Sequence, residues 1–119
     1  MNVYTMVVDV KPKVKARPRS TKTGRVYTPA STLEQEKIVA AAWQDQIGET
    51  ITEPVEVTLV YTPDSTTVHV TSSPHSSTTL RGDLDNYIKL TLDALNGVAW
   101  VDDKQVVRIS AVKVDRLEN

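Results

Sequence analysis

The stretch GDLDNYIKLTLDALNGVAWVDDKQVV, residues 82–107, predicts an amphipathic helix followed by the start of a strand. Apolar side chains recur at helical spacing and form one core-facing stripe: Leu84, Ile88, Leu92 and Leu95. Either Asp83 or Asp85 can cap the first turn, and Asn96 with Gly97 ends the helix. A final strand is expected over residues 104–114, where β-forming side chains are frequent.

The sequence before this stretch predicts another helix and further strands. Strands are expected within residues 4–10, 54–62 and 66–70. A helix should begin near Ser31, which forms a capping box with Glu34, and stop at Gly48. No linker or internal repeat divides the chain. We therefore predict a single small α+β domain, residues 1–119, with two main helices packed on one mixed β-sheet.

The composition indicates a globular chain with a thin core. There is no Phe among the 119 residues, so a partner chain would add useful buried area, and we expect a homodimer. No Cys is present, which excludes disulfides and thiolate metal sites, and His69 and His75 match no metal-ligand spacing. No membrane span, signal peptide or small-molecule cofactor motif is found, so the expected location is cytoplasmic.

The charges are unevenly distributed along the chain. Residues 1–33 hold seven Lys and Arg and one Asp, a net charge of +6, whereas the remaining residues carry −7. Proline and glycine argue against regular secondary structure in this basic stretch. It is either a solvated loop or an arm that binds nucleic-acid phosphates. On the second interpretation the DNA-binding residues are Lys11, Lys13, Lys15, Arg17, Arg19, Lys22 and Arg25, with Arg81 further along.

Acidic residues flank the predicted second helix. Asp83 and Asp85 can serve as helix caps, and Asp102 with Asp103 can form a turn. Two acids at one helix start nevertheless exceed what capping uses. If the two pairs meet in space, an all-oxygen site without Cys favours Mg²⁺ or Mn²⁺. Such an ion activates water in phosphoryl transfer, and a nearby lysine adds a fixed positive charge.

Residues 82–107 resemble the signature of the RusA-type Holliday-junction resolvases, a crossover junction endodeoxyribonuclease family common in phages and prophages. The shared pattern is D-L-D-N, a Lys six residues after the first Asp, D-A-L and W-x-D-D-x-Q-V. The basic stretch KARPRSTKTGRVYTP, followed by a helix with glutamates, is similar to the N-terminal half of phage-type members. Some members carry a dense basic run just before D-L-D-N, whereas this chain has Arg81 alone there.

The resemblance implies a Mg²⁺-dependent endonuclease, in which Mn²⁺ can replace Mg²⁺, acting in DNA recombination and repair. As a homodimer it would nick two opposed strands of a four-way junction symmetrically. The family's catalytic aspartates fall on Asp83, Asp85 and Asp103, which would hold the metal. Its essential lysine falls on Lys89, which would stabilise the transition-state charge. Asp102 also matches the motif, without an assigned role.

Two other functions stay open on the sequence. A non-cleaving protein that binds branched DNA would use the acidic residues only as cap and turn, although a binder gains nothing from four acids close to phosphate. A nuclease of similar chemistry could instead act on flaps or forks. Labelled junction, duplex and fork substrates, each with Mg²⁺ or EDTA, separate these functions.

Overall fold

The computed structural model describes residues 3–15, 19–20, 24, 26–27, 30–73 and 78–116. In chain order the elements are β1 (Val3–Val8), β2 (Arg19–Ser20), β3 (Val26–Tyr27), α1 (Ala30–Gln46), β4 (Val55–Tyr61), β5 (Thr66–Ser72), α2 (Leu84–Leu95) and a 3₁₀ helix (Asp103–Gln105). The chain forms two compact units, Met1–Ser73 and Pro74–Asn119. The predicted α+β class with two main helices is confirmed. In the described ranges no helix is both long and apolar enough to span a bilayer.

The sheet of the first unit has the strand order β1-β5-β4. Both ladders are antiparallel: Tyr4 lies opposite Val70 in one, and Leu59 lies opposite Val68 in the other. The prediction of a mixed sheet is therefore wrong for the described strands. Periodicity predicts that a strand forms, but strand direction depends on which strands become neighbours, and no local pattern encodes that.

The core of the first unit lies between α1 and one face of the sheet. Met6 and Val8 on β1 and Val70 on β5 are buried, and β1 confirms the strand predicted within residues 4–10. The strand predicted within residues 54–62 is also confirmed as β4, but its side chains are exposed on both faces. A groove of about 500 Å³ remains between α1 and the sheet.

The bounds of α1 agree closely with the prediction. The helix begins at Ala30, one residue before Ser31, so Ser31 lies in its first turn and the prediction that Ser31 is the N-cap is wrong. At the other end the Gly48 N–H donates to the Trp43 carbonyl at 2.9 Å, and Gly48 has a φ of +75°. The Trp43 carbonyl also accepts from the Ile47 N–H at 2.9 Å, so the two N–H groups share it at the helix end. The left-handed conformation of residue 48 explains the glycine.

Side chains from the C-terminal part of α1 and the residues after it attach this region to β1. The Gln46 amide accepts from the Val7 N–H at 3.0 Å and donates to the Val7 carbonyl at 2.8 Å. The Trp43 and Tyr4 rings lie 6.0 Å apart, and the Tyr4 hydroxyl donates to the Glu49 carboxylate at 2.6 Å. Because β1 is an edge strand, Gln46 occupies backbone groups that could otherwise pair with another chain.

The basic segment contains a short antiparallel ladder in which β2 pairs with β3. The prediction that this stretch lacks regular structure is therefore wrong at four residues. Gly24 lies between the two strands with a φ of +84°, a conformation that glycine adopts without a steric penalty. Gly24, which the sequence interpretation counted against a regular element, lies in the connection between these two paired strands.

In the second unit, α2 carries the predicted apolar stripe on its inner face. Leu84, Ile88 and Leu92 line a cavity of about 320 Å³ together with residues 109–112. The helix ends as predicted: the Asn96 N–H donates to the Leu92 carbonyl at 2.9 Å, and Gly97 follows with positive φ.

The final strand predicted over residues 104–114 is not formed. Its first residues belong to the 3₁₀ helix, and residues 106–114 belong to no helix or strand. A strand needs a neighbour that pairs with its backbone, and β-forming side chains do not supply one. The segment instead presents apolar side chains to solvent, including Val107, which is 95% exposed.

Candidate functional site

Asp83 occupies the N-cap of α2, but its carboxylate does not cap the helix. Its backbone carbonyl accepts from the Asn86 N–H at 3.0 Å, whereas its side chain makes no capping hydrogen bond. Asp85 lies in the first turn, and both aspartates are exposed. The positive end of the helix dipole favours negative charge at this position. Both carboxylates thus stand at the N-terminal end of α2, and that of Asp83 is not used for capping.

Asp102 has a local structural role. It caps the 3₁₀ helix, accepting a hydrogen bond from the Lys104 N–H at 2.8 Å. The Gln105 side chain in turn accepts from the Asp102 N–H at 3.0 Å, which completes a capping box. Asp102, to which the sequence analysis assigned no role, is therefore the N-cap of the 3₁₀ helix.

The neighbouring carboxylate, Asp103, points elsewhere. It accepts a hydrogen bond of 2.6 Å from the indole Nε1 of Trp100 and is half-buried. The Asp103 N–H donates to the side-chain oxygen of Asn96 at 3.1 Å. The first bond orients the carboxylate, and the second ties its backbone to the C-cap residue of α2.

The acidic residues lie at opposite ends of α2. The helix has 12 residues and therefore rises by about 18 Å. Asp83 begins it, whereas Asp103 is held beyond its last turn by Asn96. Among residues 3–15, 30–73 and 78–116, no group of three acidic or histidine side chains could hold a metal ion. A single chain therefore places Asp83 and Asp85 together at the N-terminal end of α2, whereas Asp103 lies at the C-terminal end of that helix.

Lys89 lies on α2 one turn after Asp85 and is exposed. In the part of the chain that the structure describes, the ion pair within 4.0 Å is the one between Lys15 and Glu36, so Lys89 pairs with neither Asp85 nor Asp93. Asp85, Lys89 and Asp93 follow one another at intervals of four residues, a spacing that allows a ladder of surface salt bridges, but no such ladder forms here. The ammonium group of Lys89 faces solvent within a turn of the acidic end.

The basic segment is described only in part. Lys11, Lys13 and Lys15 are exposed, and Lys15 contacts Glu36 at 3.2 Å. Arg81 lies near the start of the described segment 78–116 and is exposed as well. The predicted DNA-binding residues Arg17, Lys22 and Arg25 lie outside the described residues, and Arg19 is described by its backbone in β2 alone.

The structure describes one of the two histidines, His69. His69 lies on β5 with its Nδ1 at 2.8 Å from the Thr5 hydroxyl of the neighbouring strand. This is a cross-strand contact on the sheet of the first unit. His75 lies outside the described residues.

Contacts around Gly82, the residue before Asp83, escaped the sequence interpretation. The Gly82 N–H donates to the Tyr87 hydroxyl at 3.1 Å, and the Gly82 carbonyl accepts from Lys113 Nζ at 3.0 Å. Thr79 donates to Asp115 through its N–H at 2.6 Å. The glycine was visible in the sequence, but a lysine 31 residues away gives no local signal that it contacts this segment.

Comparison with known families gives a match that covers nearly the whole chain. The family model described as Endodeoxyribonuclease RusA matches residues 9–119. No curated protein and no solved structure matches the chain. The matched range contains the basic segment, α2 and all four aspartates of the motif. The resemblance read from residues 82–107 is therefore confirmed.

Proposed function

Because the chain belongs to the RusA family of endodeoxyribonucleases, we propose that it resolves four-way (Holliday) DNA junctions by paired, symmetric nicks that depend on Mg²⁺. The observation that carries the proposal is the Asp83 carboxylate, which is exposed at the N-cap of α2 without capping it. An aspartate kept there for stability would accept a hydrogen bond from the first helical turn. A bound ligand accounts better for this side chain.

Asp83 and Asp85 fit Mg²⁺ as a pair of carboxylate ligands. This ion is commonly bound through one or two carboxylates, with water and phosphate oxygens at its other positions. A bound metal would activate water and neutralise charge on the scissile phosphate. Mn²⁺ prefers the same oxygen ligands, so we expect it to replace Mg²⁺.

The third carboxylate, that of Asp103, would come from a second copy of the chain. Within one chain the length of α2, about 18 Å, separates it from Asp83. In a symmetric dimer whose two α2 helices run antiparallel, the C-terminal end of one helix lies beside the N-terminal end of the other. Each of the two sites would then combine Asp83 and Asp85 of one subunit with Asp103 of the other.

Apolar side chains on the second unit support such an interface. Leu90 on α2 is 73% exposed, Val101 is 86% exposed and Val107 is 95% exposed. Val101 and Val107 flank the segment that contains Asp103, so an interface that covers them would also enclose that carboxylate. A subunit interface over these positions would remove the exposed apolar side chains from water.

Lys89 would stabilise the negative charge that grows on the phosphate during cleavage. It follows Asp85 by four residues, so both lie on the same face of α2. Its exposed ammonium group forms no ion pair with Asp85 or Asp93. A fixed positive charge beside the reacting phosphate lowers the barrier most when no carboxylate neutralises it first.

The basic segment would hold the arms of the junction by their phosphates. Lys11, Lys13 and Lys15 are exposed on one side of the gap at residues 16–18, and the remaining predicted contacts are Arg17, Arg19, Lys22, Arg25 and Arg81. Such contacts supply affinity and orientation without reading the bases. The family match crosses both compact units, which supports one functional domain over residues 1–119. A role in DNA recombination and repair in a bacterial or phage-infected cytoplasm follows from this activity.

The test is cleavage of labelled four-way junction, linear duplex and replication fork in Mg²⁺, Mn²⁺ or EDTA. We expect paired nicks placed symmetrically across the junction in either metal, none in EDTA, and no cleavage of the linear duplex. Asp93→Asn is the matched control on the same helix and should cleave normally, because Asp93 lies outside the proposed site.

One observation favours a second function, a protein that binds branched DNA without cutting it. Within one chain the acidic residues do not assemble, as expected if they serve only as caps and a turn. The same experiment separates the two functions. Tight junction binding without cleavage in either metal would support the binding protein, whereas preferred cleavage of the fork would support a fork or flap nuclease.

A further inference from the structure

The backbone that leads into Asp83 is held from two sides. The Gly82 N–H donates to the Tyr87 hydroxyl at 3.1 Å, and the Gly82 carbonyl accepts from Lys113 Nζ at 3.0 Å. Both polar backbone groups of this one residue are therefore bonded to side chains. Lys113 is half-buried, so its hydrogen bond is partly shielded from water.

A second contact holds the segment three residues earlier. The Asp115 carboxylate accepts from the Thr79 N–H at 2.6 Å and from the Thr79 hydroxyl at 3.2 Å. Lys113 and Asp115 are two residues apart in the chain. They bind the two ends of residues 79–82: Asp115 bonds to Thr79, and Lys113 bonds to Gly82. Hydrogen bonds that involve a charged partner are about twice as strong as neutral ones.

The close approach of Gly82 to Tyr87 shows how tightly the segment is packed. A Cβ atom added at Gly82 would lie 2.9 Å from the Tyr87 hydroxyl oxygen and 3.0 Å from two ring carbons. A side chain at this position would force either the Tyr87 ring or the segment to shift. The backbone at Gly82 and the Tyr87 ring of α2 are therefore in direct contact, and a larger residue at position 82 would disturb that contact.

We propose that Lys113 and Tyr87 are positioning residues that aim the Asp83 carboxylate at its metal, an inference that rests on the proposed function. The Gly82 carbonyl and the Asp83 N–H and Cα belong to one planar peptide group. When Lys113 fixes that carbonyl and Tyr87 fixes the preceding N–H, the plane from which the Asp83 side chain departs is fixed as well. Asp83 makes no capping hydrogen bond that could orient it instead.

The test is direct Mn²⁺ binding by calorimetry without DNA, followed by the Mg²⁺ dependence of junction cleavage. Partners that orient a metal ligand typically contribute 10-fold to 100-fold to metal affinity, so Lys113→Met and Tyr87→Phe should each weaken Mn²⁺ binding by about 10-fold or more. Lys113→Arg retains a cationic donor and should restore most of the loss. Junction binding in EDTA should be unchanged in all three variants.

Matched substitutions separate positioning from general stability. Lys37→Met on α1 and Tyr61→Phe on β4 remove the same groups from exposed positions of the first unit, and both should bind Mn²⁺ as the wild type does. Gly82→Ala should weaken Mn²⁺ binding strongly in the wild type, because its methyl group would clash with the Tyr87 ring. In a Tyr87→Ala background, where the ring is gone, the same Gly82→Ala change should cost little more.

Two results would overturn the inference, and they are distinguishable. If Asp83→Asn abolishes Mn²⁺ binding while Lys113→Met and Tyr87→Phe bind it with wild-type affinity, the positioning role is wrong and the proposed function stands. If Asp83→Asn binds Mn²⁺ as the wild type does, Asp83 is not a metal ligand, and the inference and the metal site of the proposed function fail together.

Discussion

The Trp100 indole donates a hydrogen bond of 2.6 Å to the Asp103 carboxylate, while the adjacent Asp102 accepts from the backbone of its own 3₁₀ turn. Two neighbouring aspartates therefore have different partners and different roles. The carboxylate bonded to an indole is oriented by a rigid, bulky donor, and the other one closes a turn. This difference supports our proposal that Asp103, and not Asp102, is the catalytic member of the pair.

Removing the indole donor should impair cleavage without unfolding the unit. Trp100→Phe keeps an aromatic ring but loses Nε1–H, so the Asp103 carboxylate is no longer oriented, and we expect the cleavage rate to fall about 10-fold to 100-fold. The matched control is Trp43→Phe, which removes a 2.6 Å bond to the Glu49 carbonyl in the first unit. That variant should cleave normally, and equal rates for the two variants would contradict the role of Trp100.

The aspartates should separate clearly by mutation. Asp83→Asn, Asp85→Asn and Asp103→Asn should each abolish cleavage, while junction binding survives or tightens because a charge that repels phosphate is removed. Asp102→Asn should cleave within about threefold of the wild type, because Asn caps about as well as Asp. Substantial cleavage by any two of the first three variants would contradict the metal-site assignment.

The basic segment should supply salt-dependent affinity. Each Lys or Arg that neutralises a phosphate contributes about 0.9 to the slope of log K against log salt, so replacing Arg17, Arg19 and Arg25 with Ala should flatten it by about two to three units. Nick positions should not change, since phosphate contacts carry no sequence information. Binding across a salt series, with mapped nicks, measures both effects. An unchanged slope would show that the segment is a solvated loop.

A control for the basic segment comes from its ion pair. Glu36→Gln releases Lys15 from the 3.2 Å contact and should tighten junction binding slightly at low salt. Both side chains are largely exposed, so the effect on protein stability should be small.

The edge of the sheet in the first unit should depend on Gln46. Gln46→Ala leaves both backbone groups of Val7 without their side-chain partner, and we expect a loss of about 1–2 kcal/mol in the free energy of unfolding. Gln44→Ala, an exposed position on the same helix, should change it by less than about 0.5 kcal/mol. Denaturant unfolding of the two variants measures the difference. The exposed edge should also make Gln46→Ala more prone to aggregate.

The sequence predicted those features of the fold that depend on local spacing. The apolar stripe of α2 and its end at Asn96 follow from side chains within one helix, and both are present. The strand expected over residues 104–114 and the direction of the sheet strands depend on which segments become neighbours. Local β-forming composition contains no such information, and both of these predictions are wrong.

For the candidate site, too, the sequence predicted the residues but not their contacts. The motif singled out the aspartates, but their spacing did not show that Asp102 caps a turn or that Asp103 lies a helix length from Asp83. The contact between Lys113 and Gly82 joins residues far apart in the sequence, so no motif predicts it. Residue types indicate the chemistry, whereas the partner of each carboxylate emerges only in the fold.

Subunit mixing between inactive variants tests directly whether each site is composed from two chains. Asp83→Asn and Asp103→Asn proteins are each expected to be inactive. After subunit exchange, about half of the dimers are mixed, and each mixed dimer contains one site with both defects and one intact site. We predict that cleavage returns as single-strand nicks. Mixing Asp83→Asn with Asp85→Asn is the control and should restore nothing, since both residues come from the same subunit of each site. If the first mixture, with subunit exchange shown by differently labelled chains, stays as inactive as the control, the composite site is contradicted.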